Sequence, residues 1–260
     1  MPASPRYPSL TPTTLQLALS LIAGQPRSFR KDAQAFVRRL RPPLRVLGQT
    51  PAPSAAGRVV LANHFRSRSF RAWWIPFALT ATLDEDIHWV MTSAWTYPDP
   101  LRSHLLTPLT RRLFRRVARA YAFTLMPPMP PAPHEAAARA GAVRQVLRYM
   151  SARPRPLVGL VPEGGDSSEG DLMAPPSGVG RFISLLAARG LELLPAGVFE
   201  ADGALCLRFG KPIAGPFEAN ADPETRDRLA AVRVMKAIAS CLPDALRGPY
   251  SRGGSQHALE

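Results

Sequence analysis

A chain of 260 residues, 46% hydrophobic, is long enough for one large α/β core or two small ones and is ordinary for a globular protein. Its 33 basic and 19 acidic side chains leave a formal charge of +14, almost wholly from arginine, since Lys31, Lys211 and Lys236 are the only lysines. With only Cys206 and Cys241 no disulfide framework is implied, and the longest apolar stretches fall short of the ~20 residues that span a bilayer, so disulfide-stapled and membrane-spanning classes are excluded.

From the N-terminus, Pro2, Pro5, Pro8 and Pro12 predict an irregular start. The apolar segment 15–23 follows that start with Arg6 as its only positive charge, which is not the pattern of an export signal. Thr13 or Thr14 can cap a helix ending near Gly24, and Ser28 a second helix to about Leu40, with Phe29, Phe36, Val37 and Leu40 on one side. Arginines cluster in residues 27–45 and again in residues 102–119. An apolar face beside an arginine-rich one suits a helix lying on an anionic membrane; a helical hairpin packed on the main domain is the alternative.

From residue 58 strand-like and helix-like runs alternate. Strands are expected at Arg58 to Ala62, Ile87 to Thr92, Tyr121 to Leu125 and Leu157 to Val161, with helices at 69–81, 99–118, 134–152 and 177–189 after them. Two more strands, Leu193 to Phe199 and Ala204 to Phe209, precede a last helix at 223–242. The expected fold is α/β: a mostly parallel central sheet flanked by helices, with an N-terminal helical pair. Residues 1–45 form the membrane-facing helical segment, 46–245 the α/β domain and 246–260 a flexible tail. The proline run from Met126 to Pro133 is a stiff loop at a strand end.

Two segments carry chemistry. Val60-Leu61-Ala62-Asn63-His64 is an apolar strand ending in an Asn-His pair, and a histidine at the carboxyl end of a sheet strand stands where α/β folds build sites, with a near-neutral pKa suited to taking a hydroxyl proton. Leu160-Val161-Pro162-Glu163-Gly164-Gly165-Asp166 is a second strand opening into a glycine-bearing loop, where Glu163 can bind hydroxyls or orient an arginine and the glycines can turn backbone N–H groups toward a ligand. Each alone is equally compatible with a structural histidine and an acidic surface turn. His88, His104, His134 and His257 are read as structural. No metal-ligand cluster, nucleotide-binding loop or nucleophile elbow is present in the sequence, so no bound cofactor is expected.

Asn63-His64, Val161-Pro162-Glu163-Gly164, Leu193-Leu194-Pro195-Ala196-Gly197-Val198 and Arg208-Phe209-Gly210-Lys211-Pro212-Ile213, in this order, resemble the blocks of the glycerolipid and lysophospholipid acyltransferase family. The resemblance covers roughly residues 58–213 and includes the helix-like Gly178 to Ala187. It implies acyl transfer from a thioester on coenzyme A or acyl carrier protein to a lipid acceptor at the cytoplasmic face of the inner membrane. It implies His64 as general base, and Asn63, Arg66, Arg68, Glu163, Gly164, Gly165 and Arg181 as candidates for substrate binding.

The chain departs from the family's pattern at three places. The aspartate expected five positions after the histidine, which orients the ring, is Ser69; the small residue and arginine expected after the glutamate block are Gly165 and Asp166; and the block near Tyr121 to Pro127 lacks its closing arginine. Loss of such a carboxylate by amide replacement in serine proteases lowers turnover about 10⁴-fold. The arginines missing here are those the family associates with the acceptor phosphate, so the acceptor need not be a simple lysophosphatidate. Three functions follow: an acyltransferase with an altered dyad, a non-catalytic relative that binds lipid or acyl carrier, and a nucleic-acid binder, the last without a recognition motif or stacking aromatics to support it.

Overall fold

The computed structural model describes residues 4–8, 11–65, 70–83, 85–97, 99–129, 132–165, 170–215 and 221–251. Among the described residues there is a seven-stranded sheet with seven α-helices. Helices α1 (Pro12–Ala23) and α2 (Phe29–Val37) come first, and a short strand β1 (Arg45–Leu47) follows. Then β2 (Arg58–Ala62), α3 (Trp74–Thr82), β3 (His88–Thr92), α4 (Pro100–Tyr121), β4 (Thr124–Met126), α5 (Ala136–Ser151), β5 (Leu157–Leu160), α6 (Val179–Ala187) and β6 (Glu192–Ala201) alternate. The hairpin strand β7 (Ala204–Phe209) and α7 (Pro223–Ser240) close the main fold.

The strand order is β1-β7-β6-β2-β5-β3-β4. From β6 to β4 all neighbours are parallel, while β7 runs antiparallel to β6 and parallel to β1. Strand β2 lies between β5 and β6, and every one of its residues is buried. That is why Val59-Val60-Leu61-Ala62 is a continuous apolar run and not an alternating one.

The topology creates a crevice. The connection leaving β2 through α3 goes to β3, on one side, whereas the connection leaving β5 through α6 goes to β6, on the other. Right-handed crossovers put α3 and α6 on opposite faces, and α3 packs on α2 while α6 packs on α7. The two connections thus leave this adjacent strand pair toward opposite faces, a topological switch point, and the gap outside their carboxyl ends is where open α/β sheets bind ligands.

Several expected elements change at their edges. The cap of α1 is Thr11, whose hydroxyl accepts from Thr14 N–H, because Pro12 suits the first helical position; Thr13 and Thr14 lie inside the helix. Tyr121, expected in a strand, is the last residue of α4, and Ala122 ends the helix in the left-handed region with φ of 55°. Residues 246–251 belong to the fold and not to the tail expected from 246 onward: a 3-10 turn covers Gly248–Tyr250, and Tyr250 is buried. The strand Arg45–Leu47 had no expected counterpart.

The N-terminal pair divides its faces unequally. Phe36 of α2 stacks on Phe77 of α3 at 4.9 Å, and Phe29 meets Tyr121 edge-on at 5.0 Å, so the apolar side of α2 faces the core. Asp32 is buried, takes a bidentate ion pair from Arg27 at 2.6 and 2.7 Å, and accepts from the Tyr121 hydroxyl at 2.8 Å. Burial and that carboxylate together push the Tyr121 phenol well above its ordinary range.

Candidate active site

His64 follows the end of β2 by two residues, and Glu163 the end of β5 by three. The parallel register of these strands, from Arg58 opposite Leu157 to Leu61 opposite Leu160, brings both to the same carboxyl edge, on the two strands that flank the switch point. The backbone N–H of His64 donates to Glu163 Oε1 at 2.5 Å, across 99 residues of chain. Glu163 Oε2 accepts from the N–H of Met173 at 2.8 Å. A carboxylate only 3% exposed is therefore held by two backbone donors and ties the loop after β2 to the loop after β5.

His64 is half-buried, and its ring Nδ1 is closed off from solvent. An imidazole in this attitude can present one nitrogen outward while the other faces protein. Asn63, just before it, is 1% exposed, and its amide is committed to backbone. Oδ1 accepts from Val198 N–H at 2.8 Å, and Nδ2 donates to Val198 O at 3.0 Å and to His64 O at 3.2 Å. Asn63 thus extends the β2–β6 pairing by one side-chain rung and fixes the backbone from which His64 projects.

Phe65, next to His64, meets Phe70 edge-on at 5.0 Å. Tyr7, from the N-terminal segment, packs against Phe70 and Trp74 at 5.9 and 5.0 Å and donates its hydroxyl to Glu200 Oε1 at 2.6 Å. Sequence reasoning treated this segment as irregular, and its anchoring role had no local signal.

On the opposite side, Gly164 turns the chain with φ of 69°, and its N–H donates to Val161 O at 3.3 Å. A Cβ there would come within 2.9 Å of Met129, so both backbone and space require glycine; at Gly165 a Cβ would meet nothing within 4 Å. Tyr250 also belongs here. Burial first, and the negative charge of Glu163 second, push its hydroxyl up to about 12. It was missed because nothing in a Gly-Pro-Tyr sequence near the C-terminus announces a partner at residue 163.

Of the expected site residues, the fold brings Asn63, His64, Glu163, Gly164 and Gly165 together. Arg181 is exposed on the first turn of α6. Its N–H donates to Asp227 Oδ1 at 2.7 Å and that of Gly178 to Asp227 Oδ2 at 2.6 Å, so α7 already caps this helix start. Arg66, Arg68, Ser69 and Asp166 lie outside the described residues. Among the described residues no three His, Cys, Asp or Glu side chains gather as a metal-binding group. Two shallow surface concavities, one along the first half of α4 and one beside Ala122 and Gln145, are lined by neither His64 nor Glu163. No protein-family model matches the chain, and no curated protein matches its sequence.

Proposed function

We propose that the protein is a membrane-surface acyltransferase that moves a fatty acyl group from a thioester of coenzyme A or acyl carrier protein to a hydroxyl or amine of a lipid acceptor. The observation that carries this is the bond between His64 N–H and Glu163 at the switch point of the sheet. A base for acyl transfer must be held at a strand end facing open space, and the two sequence blocks that resemble the acyltransferases meet there.

In this mechanism the His64 ring takes the proton of the acceptor hydroxyl as its oxygen attacks the thioester carbonyl carbon. The tetrahedral intermediate collapses, the carbon–sulfur bond breaks, and the imidazolium returns its proton to the departing thiolate; the products are an acyl ester and a free thiol. Glu163 is a positioning residue: its carboxylate is already occupied by two backbone N–H groups and holds the His64 backbone in place. Ser69, at the position of the ring-orienting aspartate, supplies no negative charge to the imidazolium, which fits a slow enzyme or one whose ring is oriented by another group.

Among the described residues no helix is long and apolar enough to cross a membrane. The proposed location is peripheral, on the cytoplasmic side of the inner membrane. A second function, lipid or acyl-carrier binding without catalysis, is favoured by Ser69 and Asp166, which stand where the family has an aspartate and an arginine. Release of free thiol from acyl-CoA and from acyl carrier protein, measured across a panel of lysolipids and aminolipids, separates the two. Acceptor-dependent release supports the enzyme; no release with any acceptor, together with acyl chains extracted from the purified protein, supports the binder.

A further inference from the structure

Helix α1 is inverted. Its buried residues, Thr13 and Ser20, are both polar, and Leu15, Leu19 and Ile22 are 63%, 58% and 71% exposed. A helix of a water-soluble domain turns its apolar stripe inward, as α2 does with Phe36.

Helix α4, which packs on α1, repeats the pattern on a larger scale. None of residues 100–109 is buried, and Leu101, Leu105 and Leu109 are 69%, 60% and 60% exposed. At about 3.6 residues per turn these leucines share one outward sector with Arg112, Arg116 and Arg119, opposite the buried Thr110, Phe114 and Ala118. The outward face of α4 is thus leucine in its first half and arginine in its second. Neither α1 nor α4 contains an aspartate or glutamate.

We infer that the outward faces of α4 and α1 form a docking surface for an anionic lipid bilayer, with the leucines entering the headgroup boundary and the arginines meeting lipid phosphates. Charge selects the occupant. A second copy would bring the same arginines against these, whereas an anionic bilayer offers apolar depth and negative charge together. The root of α4 lies at the carboxyl edge of the sheet: Thr96 Oγ1 donates to Met129 O at 3.4 Å, and the Met129 side chain lies against Gly164. Docking through α4 therefore brings the His64 edge toward the lipid. The surface is defined by these side chains alone and does not depend on the acyl-transfer function.

The test is sedimentation of the full chain with phosphatidylglycerol vesicles and with phosphatidylcholine vesicles over a salt series. The wild type is expected to bind the anionic vesicles, more weakly as salt rises. Leu105→Ser with Leu109→Ser, and separately Arg112→Gln with Arg116→Gln, should each weaken binding roughly tenfold or more. All four positions are exposed, so thermal melting should stay at the wild-type value, and His64→Ala should bind as the wild type does whether or not acyl transfer occurs. Wild-type binding by both double variants would overturn the inference. So would a dimer in light scattering that the leucine variant dissolves while the wild type ignores vesicles, or salt-sensitive binding to duplex DNA with none to vesicles.

Discussion

His64 and His88 stand on parallel strands that flank β5, and their surroundings make them different chemical objects. His88 opens β3, is 7% exposed, stacks on Tyr149 at 4.0 Å and shares a hydrogen bond with Thr124 Oγ1 at 2.8 Å through Nε2. Burial, helped by the nearby Arg153 cation, pushes its pKa down to about 4, so it is a neutral ring packed as a core residue. His64 lies beyond the last residue of β2, half-buried, with its backbone N–H held by Glu163. Position along the strand, and not residue type, separates a structural histidine from a candidate base.

That contrast breaks first at Glu163. Removing its carboxylate by Glu163→Ala leaves the N–H groups of His64 and Met173 without their acceptors in a buried place. The expected cost is about 4 kcal/mol in denaturant unfolding, with loss of thiol release as the His64 loop comes free. Stability close to the wild type would mean that the clamp is not what holds His64.

The contrast is sharpened by acid. An ordinary histidine titrates near 6.5 and His88 near 4 in the folded protein, so between these values the unfolded chain binds the proton and the folded one does not. Stability present above pH 6.5 is therefore lost as pH falls toward 4, by roughly 3 kcal/mol from this residue. Urea melts of the wild type and His88→Gln at pH 7 and pH 4 should differ in their acid loss by about that amount; equal losses would remove His88 as the cause.

A smaller effect is expected at Asn63. Asn63→Ala deprives the N–H and C=O of Val198 of their partner and should cost about 2 kcal/mol, with a drop in turnover but little change in acceptor KM, since the amide faces backbone and not ligand. A selective rise in KM would return Asn63 to the substrate. Ser69→Asp should raise turnover roughly tenfold if His64 is the base and its ring lacks a carboxylate; thiol release at saturating acceptor checks it.

The sheet was legible because its strands are apolar runs bounded by turn residues: Arg58 to Ala62 and Ala204 to Phe209 have the expected limits. The strand Arg45–Leu47 was not, because three residues after a proline pair carry too little pattern. The strand ends of the site were legible as Asn63-His64 and Val161-Pro162-Glu163-Gly164. Their roles were only partly so: that the Asn63 amide is used by Val198, and that Tyr250 lies near Glu163, are long-range pairings that no local spacing encodes. Of the two readings open for the apolar side of α2, a membrane surface or a hairpin packed on the main domain, the structure has the second, with Phe36 on Phe77, while the exposed leucines of α4 lay in a segment noted only as a helix with an arginine cluster.

The most direct measurement is thiol release from acyl-CoA by wild type and His64→Ala on one responsive acceptor, with both proteins shown to unfold at the same denaturant concentration. Loss of a positioned general base predicts a fall of roughly 10²–10⁴-fold in kcat with the fold intact. Undiminished release by His64→Ala would contradict the account and move the chemistry away from the β2–β5 edge.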